Sequence, residues 1–237
     1  MAIFKFKYFH VEQGESLLKV GTDAMVLGAI ASFEKTTNLI DIGCGTGVLS
    51  LMMAQKNSNL QVLGIDNHIA SIQAASLNFQ NSPFPNEMNV SHESFLDLSE
   101  DLKFDGIICN PPFYEDAIST ENEDFNKAKH VLELSPERLL TKINVLAADE
   151  AEFWFIWPHD QRFRMESILE GKGWIKKEDW TIYGKPSVAV RTIQKWTNSK
   201  AEKINVLEKN LLIRNEEGKF SDEYKELTKE FHDRALP

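Results

Sequence analysis

The tetrapeptide Asn110-Pro111-Pro112-Phe113 follows a strand-like run, Phe104–Cys109, and its residue types suit one kind of chemistry. An exocyclic nitrogen on a flat ring or amide is a poor nucleophile because its lone pair is delocalised. Two acceptors aimed at its two hydrogens favour a pyramidal nitrogen and stabilise the positive charge that develops during attack. Asn110 offers a side-chain oxygen and Pro111 a backbone carbonyl, while the paired prolines stiffen the turn so that both hold their aim. Phe113 is suited to stack on a flat acceptor. All four residues are therefore expected to be catalytic, with Phe113 also touching substrate and Asn110 also bordering a cofactor. An adenine amine, a guanine amine and a glutamine amide share this planar NH2, and the tetrapeptide alone does not separate them. An Asn-Pro pair also ends strands for purely structural reasons. What raises this one above that reading is a second motif upstream.

That motif is Asp41-Ile42-Gly43-Cys44-Gly45-Thr46-Gly47, between a buried strand-like run, Asn38–Ile42, and a helix-like run, Val48–Lys56. Glycines at such a junction let the backbone turn tightly and approach a ligand closely. The spacing is G-x-G-x-G, so the G-x-G-x-x-G pyrophosphate fingerprint is absent. Asp41 would repel a pyrophosphate but attract an ammonium, such as the methionine end of S-adenosylmethionine, directly or through water. Asp66 ends the next strand, Gln61–Ile65, about 20 residues on, where an acid accepts ribose hydroxyls. Ser94 and Phe95 follow a third strand, Met88–His92, placed to hydrogen-bond and pack the cofactor adenine. Gly43, Gly45 and Gly47 complete the predicted cofactor set. The donor's own positive charge drives displacement, and the nitrogen acidifies on methylation, so neither a metal nor a strong base is expected.

The elements that would position these groups alternate strand-like and helix-like runs from residue 38 onward, the pattern of a mainly parallel sheet covered on both faces. His68–Asn78 reads as a helix, and Glu115–Asn126 as an acidic, Asn-rich loop. The stretch Tyr114–Lys129, which includes that loop, is the part expected to order around substrate. Ser135-Pro136 supplies a cap and a first-turn proline for a helix to about Ala148. Glu152–Trp157 reads as a fifth strand and Arg162–Gly171 as a helix; Trp180–Tyr183 and Val188–Trp196 read as a closing antiparallel pair across Gly184–Pro186. The prediction is an α/β, Rossmann-like fold with a seven-stranded, mostly parallel sheet. Residues 1–237 would form a single domain, with an N-terminal extension (about 1–35, helical over 16–33) covering the cofactor site and a C-terminal helix at about 221–232.

The bulk composition constrains partners. An apolar fraction of 42% supports a sizeable core, and no run is long and apolar enough to read as a membrane span. The N-terminus lacks the apolar segment of a signal peptide. Cys44 and Cys109 stand far apart, out of any metal-binding spacing, and read as small core residues in a reducing cytoplasm. The net charge of −10 is unusual for a nucleic-acid binder, so any such surface must be a local patch. Lys5, Lys7, Lys129, Lys185 and Arg191 are its scattered candidates, although Lys5 and Lys7 alternate with Phe4 and Phe6 as in an ordinary edge strand.

Beyond these motifs the chain resembles the bacterial tRNA1(Val) adenine-N6 methyltransferases, which modify adenine 37. The similarity is carried by Phe9-His10-Val11-Glu12-Gln13, by Lys19-Val20-Gly21-Thr22-Asp23-Ala24-Met25-Val26-Leu27-Gly28-Ala29, and by the two motifs above. It continues through Leu211-Leu212-Ile213-Arg214 and Gly218-Lys219-Phe220-Ser221, so it spans nearly the whole chain. The resemblance implies S-adenosylmethionine as cofactor, tRNA as partner with no obligate protein partner, and a base flipped from an anticodon loop. It implies that Thr22 and Asp23 close over the methionine moiety. The expected RNA contacts are Phe113, Lys129, His130 and Arg191. The family tends to carry Ala-Arg-His where this chain has Ala128-Lys129-His130, replacing a bidentate fork by a point charge. Two rivals stand beside this reading: methylation of a protein glutamine, which suits the acidic charge, and a cofactor-binding module without turnover.

Overall fold

A computed structural model of the chain describes residues 3–14, 20–84, 88–111, 135–199 and 205–236. Its centre is built from short, nearly continuous apolar runs, as strands buried on both faces require. These are β3 (Asn38–Ile42), β4 (Gln61–Asp66) and β6 (Phe104–Cys109), and the sheet is completed by the half-polar edge strand β5 (Met88–His92), of which only Met88 is buried, and by β7 (Ala147–Pro158), β8 (Ile175–Lys185), β9 (Val188–Thr197) and β10 (Leu207–Leu212). The spatial order is β5-β4-β3-β6-β7-β9-β8-β10. Pairing is parallel from β5 to β7, and β9 is antiparallel to both β7 and β8.

The sheet has eight strands, not seven. β10 adds in parallel to the outer side of β8, and its first four residues, Leu207–Asn210, are exposed. A polar edge strand shows too little apolar alternation to be read from sequence. The predicted start of β7 at Glu152 also moves back to Ala147, directly after the preceding helix. The intervening residues are three alanines and two exposed acids, Asp149 and Glu150, and the register shifts here, with Glu150 in a left-handed conformation (φ 59°).

Alternation along the strands divides the core into two layers. Leu39, Ile108 and Trp154 face α1 (Thr22–Ile30) and α2 (Val48–Lys56). Ile40, Ile42, Ile107 and Phe155 face α4 (Pro136–Leu146) and α5 (Arg162–Gly171), while α3 (Ile69–Gln80) packs behind the glycine loop. As the sequence requires, the Ser135 hydroxyl caps α4 by accepting from the Arg138 N–H. The predicted helix over 16–33 is confined to α1, with residues 15–19 outside the described set. β1 (Ile3–Lys5) and β2 (His10–Glu12) form a separate antiparallel pair. Phe6, Phe9 and Val11 nevertheless join the first core layer, as do Tyr224 of α6 (Asp222–Thr228) and Phe231. Cys44 and Cys109 are both buried.

Register sets up the site. Ile42 of β3 pairs with Ile65 of β4 on one side and Cys109 of β6 on the other. Asp66 pairs with His92 of β5, and Cys109 with Phe155 of β7. The residues that follow these pairs therefore leave one sheet edge side by side. The strand order reverses at β3, with β4 and β5 added on one side and β6 and β7 on the other, and such a switch point opens a crevice at the strand C-termini.

Candidate active site

The glycine loop is fastened before any ligand arrives. Gly43 and Cys44 both donate to the Ile65 carbonyl, at 2.9 and 3.0 Å, and Gly47 donates to Cys44 at 2.8 Å. Gly47 combines a left-handed φ of 78° with close packing: a Cβ there would lie 2.4 Å from Phe79 of α3. Gly43 is left-handed too, but a Cβ there would meet nothing within 4 Å, so the loop leaves open space at its first turn.

Two acids hold this loop from opposite ends. Asp66 accepts from the Gly45 N–H at 3.0 Å with one oxygen and from the His68 N–H at 2.8 Å with the other. Each oxygen retains a lone pair directed elsewhere. Asp41 is fully buried; its Oδ2 accepts from the Ser50 N–H (3.1 Å) and hydroxyl (2.7 Å) at the start of α2. Its Oδ1 is buried with no hydrogen-bond partner. Burial raises the Asp41 pKa from 3.8 to about 6, against the two Ser50 hydrogen bonds and with help from the Asp66 charge. An orphaned buried carboxylate oxygen is costly, and a cationic partner at that point removes the cost. The residues present therefore fit a ligand that brings an ammonium to Asp41 and a compact body to the space at Gly43.

Ser94 and Phe95 lie past β5, on the same edge. The Ser94 hydroxyl accepts from the Leu96 N–H and caps a single turn of 3-10 helix. The Phe95 ring is 6% exposed and packs in the second core layer, so it presents no open face. At the other side of the switch point Asn110 is half-buried and Pro111 buried, directly after the paired Cys109. Pro112, Phe113, Lys129 and His130 lie outside the described residues, as does the whole predicted loop from Tyr114 to Lys129.

Thr22 and Asp23 open α1. Asp23 Oδ2 accepts from Arg191 Nε at 2.8 Å, and Arg191 stands opposite Pro158, where β7 reaches the ligand edge. The two residues, 168 positions apart in the chain, thus tie the N-terminal segment to the closing strands. Among the other basic candidates, Lys7 is bound to Glu230 at 2.8 Å, and Lys185 ends β8.

Sequence reasoning missed one residue central to this arrangement. Asn78 of α3 is 1% exposed; its Oδ1 accepts from the Glu12 N–H, while its Nδ2 donates to the carbonyls of Glu12 (3.0 Å) and Thr46 (2.9 Å). One amide thereby clips β2 to the glycine loop. An Asn within a helix gives no local sign of such a role; Ser50 was equally silent.

The methyltransferase small domain family matches residues 17–143. Across the full chain, a protein of Dyadobacter fermentans called a tRNA1(Val) (adenine(37)-N6)-methyltransferase is 31% identical over 98% of this chain and 97% of its own length. The chain belongs to this methyltransferase family. A second family member, from Bacteroides fragilis and bearing the same name, is 31% identical over 97% of both chains. Among solved structures, a predicted O-methyltransferase from Agrobacterium tumefaciens superposes with a TM-score of 0.68 at 14% identity, covering 91% of this chain and 98% of that one. A putative RNA methyltransferase from Pyrococcus horikoshii gives 0.54 at 17% identity, over 79% and 88%. These two share the family's class I fold, and at such identities they speak for the fold alone.

Proposed function

We propose that this protein uses S-adenosylmethionine to methylate the exocyclic N6 of adenine 37 in tRNA1(Val). The observation that carries the reading is the register of β3 against β6, which sets the glycine loop and Asn110-Pro111 side by side at the switch point. Relatives aligned over nearly their whole length are called by this activity, which favours adenine over a glutamine amide or a guanine.

When bound, the cofactor supplies an electrophilic methyl group on a sulfonium. Asp41 Oδ1 would hold the ammonium end, directly or through water, and the remaining lone pairs of Asp66 would take the ribose hydroxyls. Thr22 and Asp23, with Arg191 behind Asp23, close the methionine side. Asn110 Oδ1 and the Pro111 carbonyl accept the two N6 hydrogens and hold the lone pair toward the methyl; Pro112 stiffens the turn and Phe113 stacks on the base. The extra proton then leaves N6 to solvent. Ser94 is kept as an adenine-side contact, with Phe95 acting from within the core. Lys129 and His130 are kept as RNA contacts. Residues 1–237 act as one domain, since the N-terminal pair and α6 share the core of the sheet. A tRNA substrate favours a cytoplasmic location.

The test is incubation with labelled S-adenosylmethionine and total unmodified bacterial tRNA, followed by digestion to nucleosides. Labelled N6-methyladenosine, lost in Asn110→Ala, is expected. Label in protein but not in RNA would replace the reading with glutamine methylation.

A further inference from the structure

Helix α5 carries an apolar residue on its wrong face. Met165 and Leu169 face the core, whereas Phe163 shares the opposite, solvent side with Ser167 and Glu170, and it is 63% exposed. The Arg162 guanidinium lies 4.0 Å from the Phe163 ring centroid and is itself anchored to the His159 carbonyl at 2.8 Å. One ring face is thus covered by a fixed, planar cation, and the rest of the ring is open.

The position of this pair is set by the same edge as the site. β7 runs past the end of β6, since Cys109 pairs with Phe155, and α5 starts four residues after Pro158. α4 starts at Pro136, beyond the segment that leaves Asn110-Pro111. Arg164 binds Glu137 at 2.9 Å, so the first turns of the two helices are joined at that edge. Local charge does not favour a purely electrostatic contact, because Asp160 and Glu137 offset Arg162 and Arg164. An exposed ring backed by a guanidinium instead suits a planar, unpaired nucleobase, which stacks whatever its sequence identity.

We propose that Phe163, backed by Arg162, is a stacking platform for an unpaired base flanking the target adenine. This rests on the tRNA reading above. A base flipped out of an anticodon loop leaves unstacked neighbours, and a platform at the same sheet edge as the pocket compensates for their lost stacking.

The test is steady-state methylation of unmodified tRNA by wild type, Phe163→Ala, Phe163→Leu and Phe163→Trp, with cofactor affinity and melting temperature measured for each. Phe163→Ala and Phe163→Leu are expected to raise the KM for tRNA roughly tenfold, about the worth of one stacked base. Their kcat should stay within about twofold, cofactor affinity should be unchanged, and Phe163→Trp should restore KM. Because stacking is not ionic, the Phe163→Ala defect should persist as salt is raised, whereas that of Arg162→Ala should change. Equal KM values for Ala and wild type, or Leu matching Trp, would overturn the proposal. So would a wild-type dimer that Phe163→Ala makes monomeric, which would assign the ring to a second copy of the chain. Failure of the wild type to methylate tRNA would defeat the underlying reading instead.

Discussion

The two sides of the switch point are held in different ways. On the β3–β4 side, the loop is tied by buried or half-buried hydrogen bonds, Asp41 Oδ2 to Ser50, Asp66 to Gly45 and Asn78 to Thr46, which leave Asp41 Oδ1 as the buried oxygen open to a ligand. On the β6–β7–β9 side the ties include ion pairs nearer solvent: Asp23 with Arg191, about 30% exposed, and Arg164 with Glu137, more than half exposed. The first side reads as a rigid socket for a ligand of fixed shape. The second reads as an adjustable surface for a large substrate, where contacts form largely upon binding. Low-dielectric contacts are worth more and cost more to break than exposed ones. Substitutions on the two sides should therefore differ in kind.

The largest effect should come from Asn110→Ala, which removes one of the two acceptors at the reacting nitrogen. kcat should fall by roughly 10²–10³-fold, with cofactor affinity changed only a few-fold by calorimetry. A loss of affinity as large as the loss of rate would merge the two sides into one.

Asp41→Asn comes next and should act on binding. Loss of a charge-assisted partner should weaken cofactor affinity roughly 10- to 100-fold. The ligand-free protein should respond in the opposite sense. The folded pKa of about 6 lies above the unfolded 3.8, so the unfolded chain ionises first as pH rises. Wild-type stability should then fall between about pH 4 and pH 6 and stay level above, by about 3 kcal/mol in total. Asp41→Asn should lose this slope in denaturant titrations, while wild-type cofactor affinity should weaken as pH drops below 6. A flat wild-type stability profile over that window would refute the burial argument.

Asp23→Asn should have a smaller effect, about 1 kcal/mol or less on stability, because its ion pair with Arg191 is only partly buried. A double-mutant cycle with Arg191→Ala, read by cofactor affinity, should show coupling if the pair holds the N-terminal segment in place. Glu137→Ala should be least, within about 0.5 kcal/mol in melting, since both partners are more than half exposed.

The contrast also explains what the sequence disclosed. β3, β6 and α2 were readable at their observed limits because buried parallel strands are plainly apolar and the glycines punctuate them. The socket motifs are local in sequence, so their order along one edge followed from the strand order. The clip made by Asn78, the pairing of Asp23 with Arg191 and the exposure of Phe163 depend on distant contacts or on which helix face meets solvent. Neither leaves a mark in local spacing. β10 escaped for a related reason: Glu208, Lys209 and Asn210 are exposed on an edge strand, and their polar run carries no apolar alternation.

The central claim is that the socket and the acceptor pair together act on one adenine. It is tested most directly with two transcripts of tRNA1(Val), one with adenine at position 37 and one with guanine there, each offered with labelled cofactor. The account predicts label in the adenine transcript alone, recovered as N6-methyladenosine. Equal labelling of the guanine transcript would contradict it, because the methyl group would then be landing elsewhere in the tRNA or on a different amine.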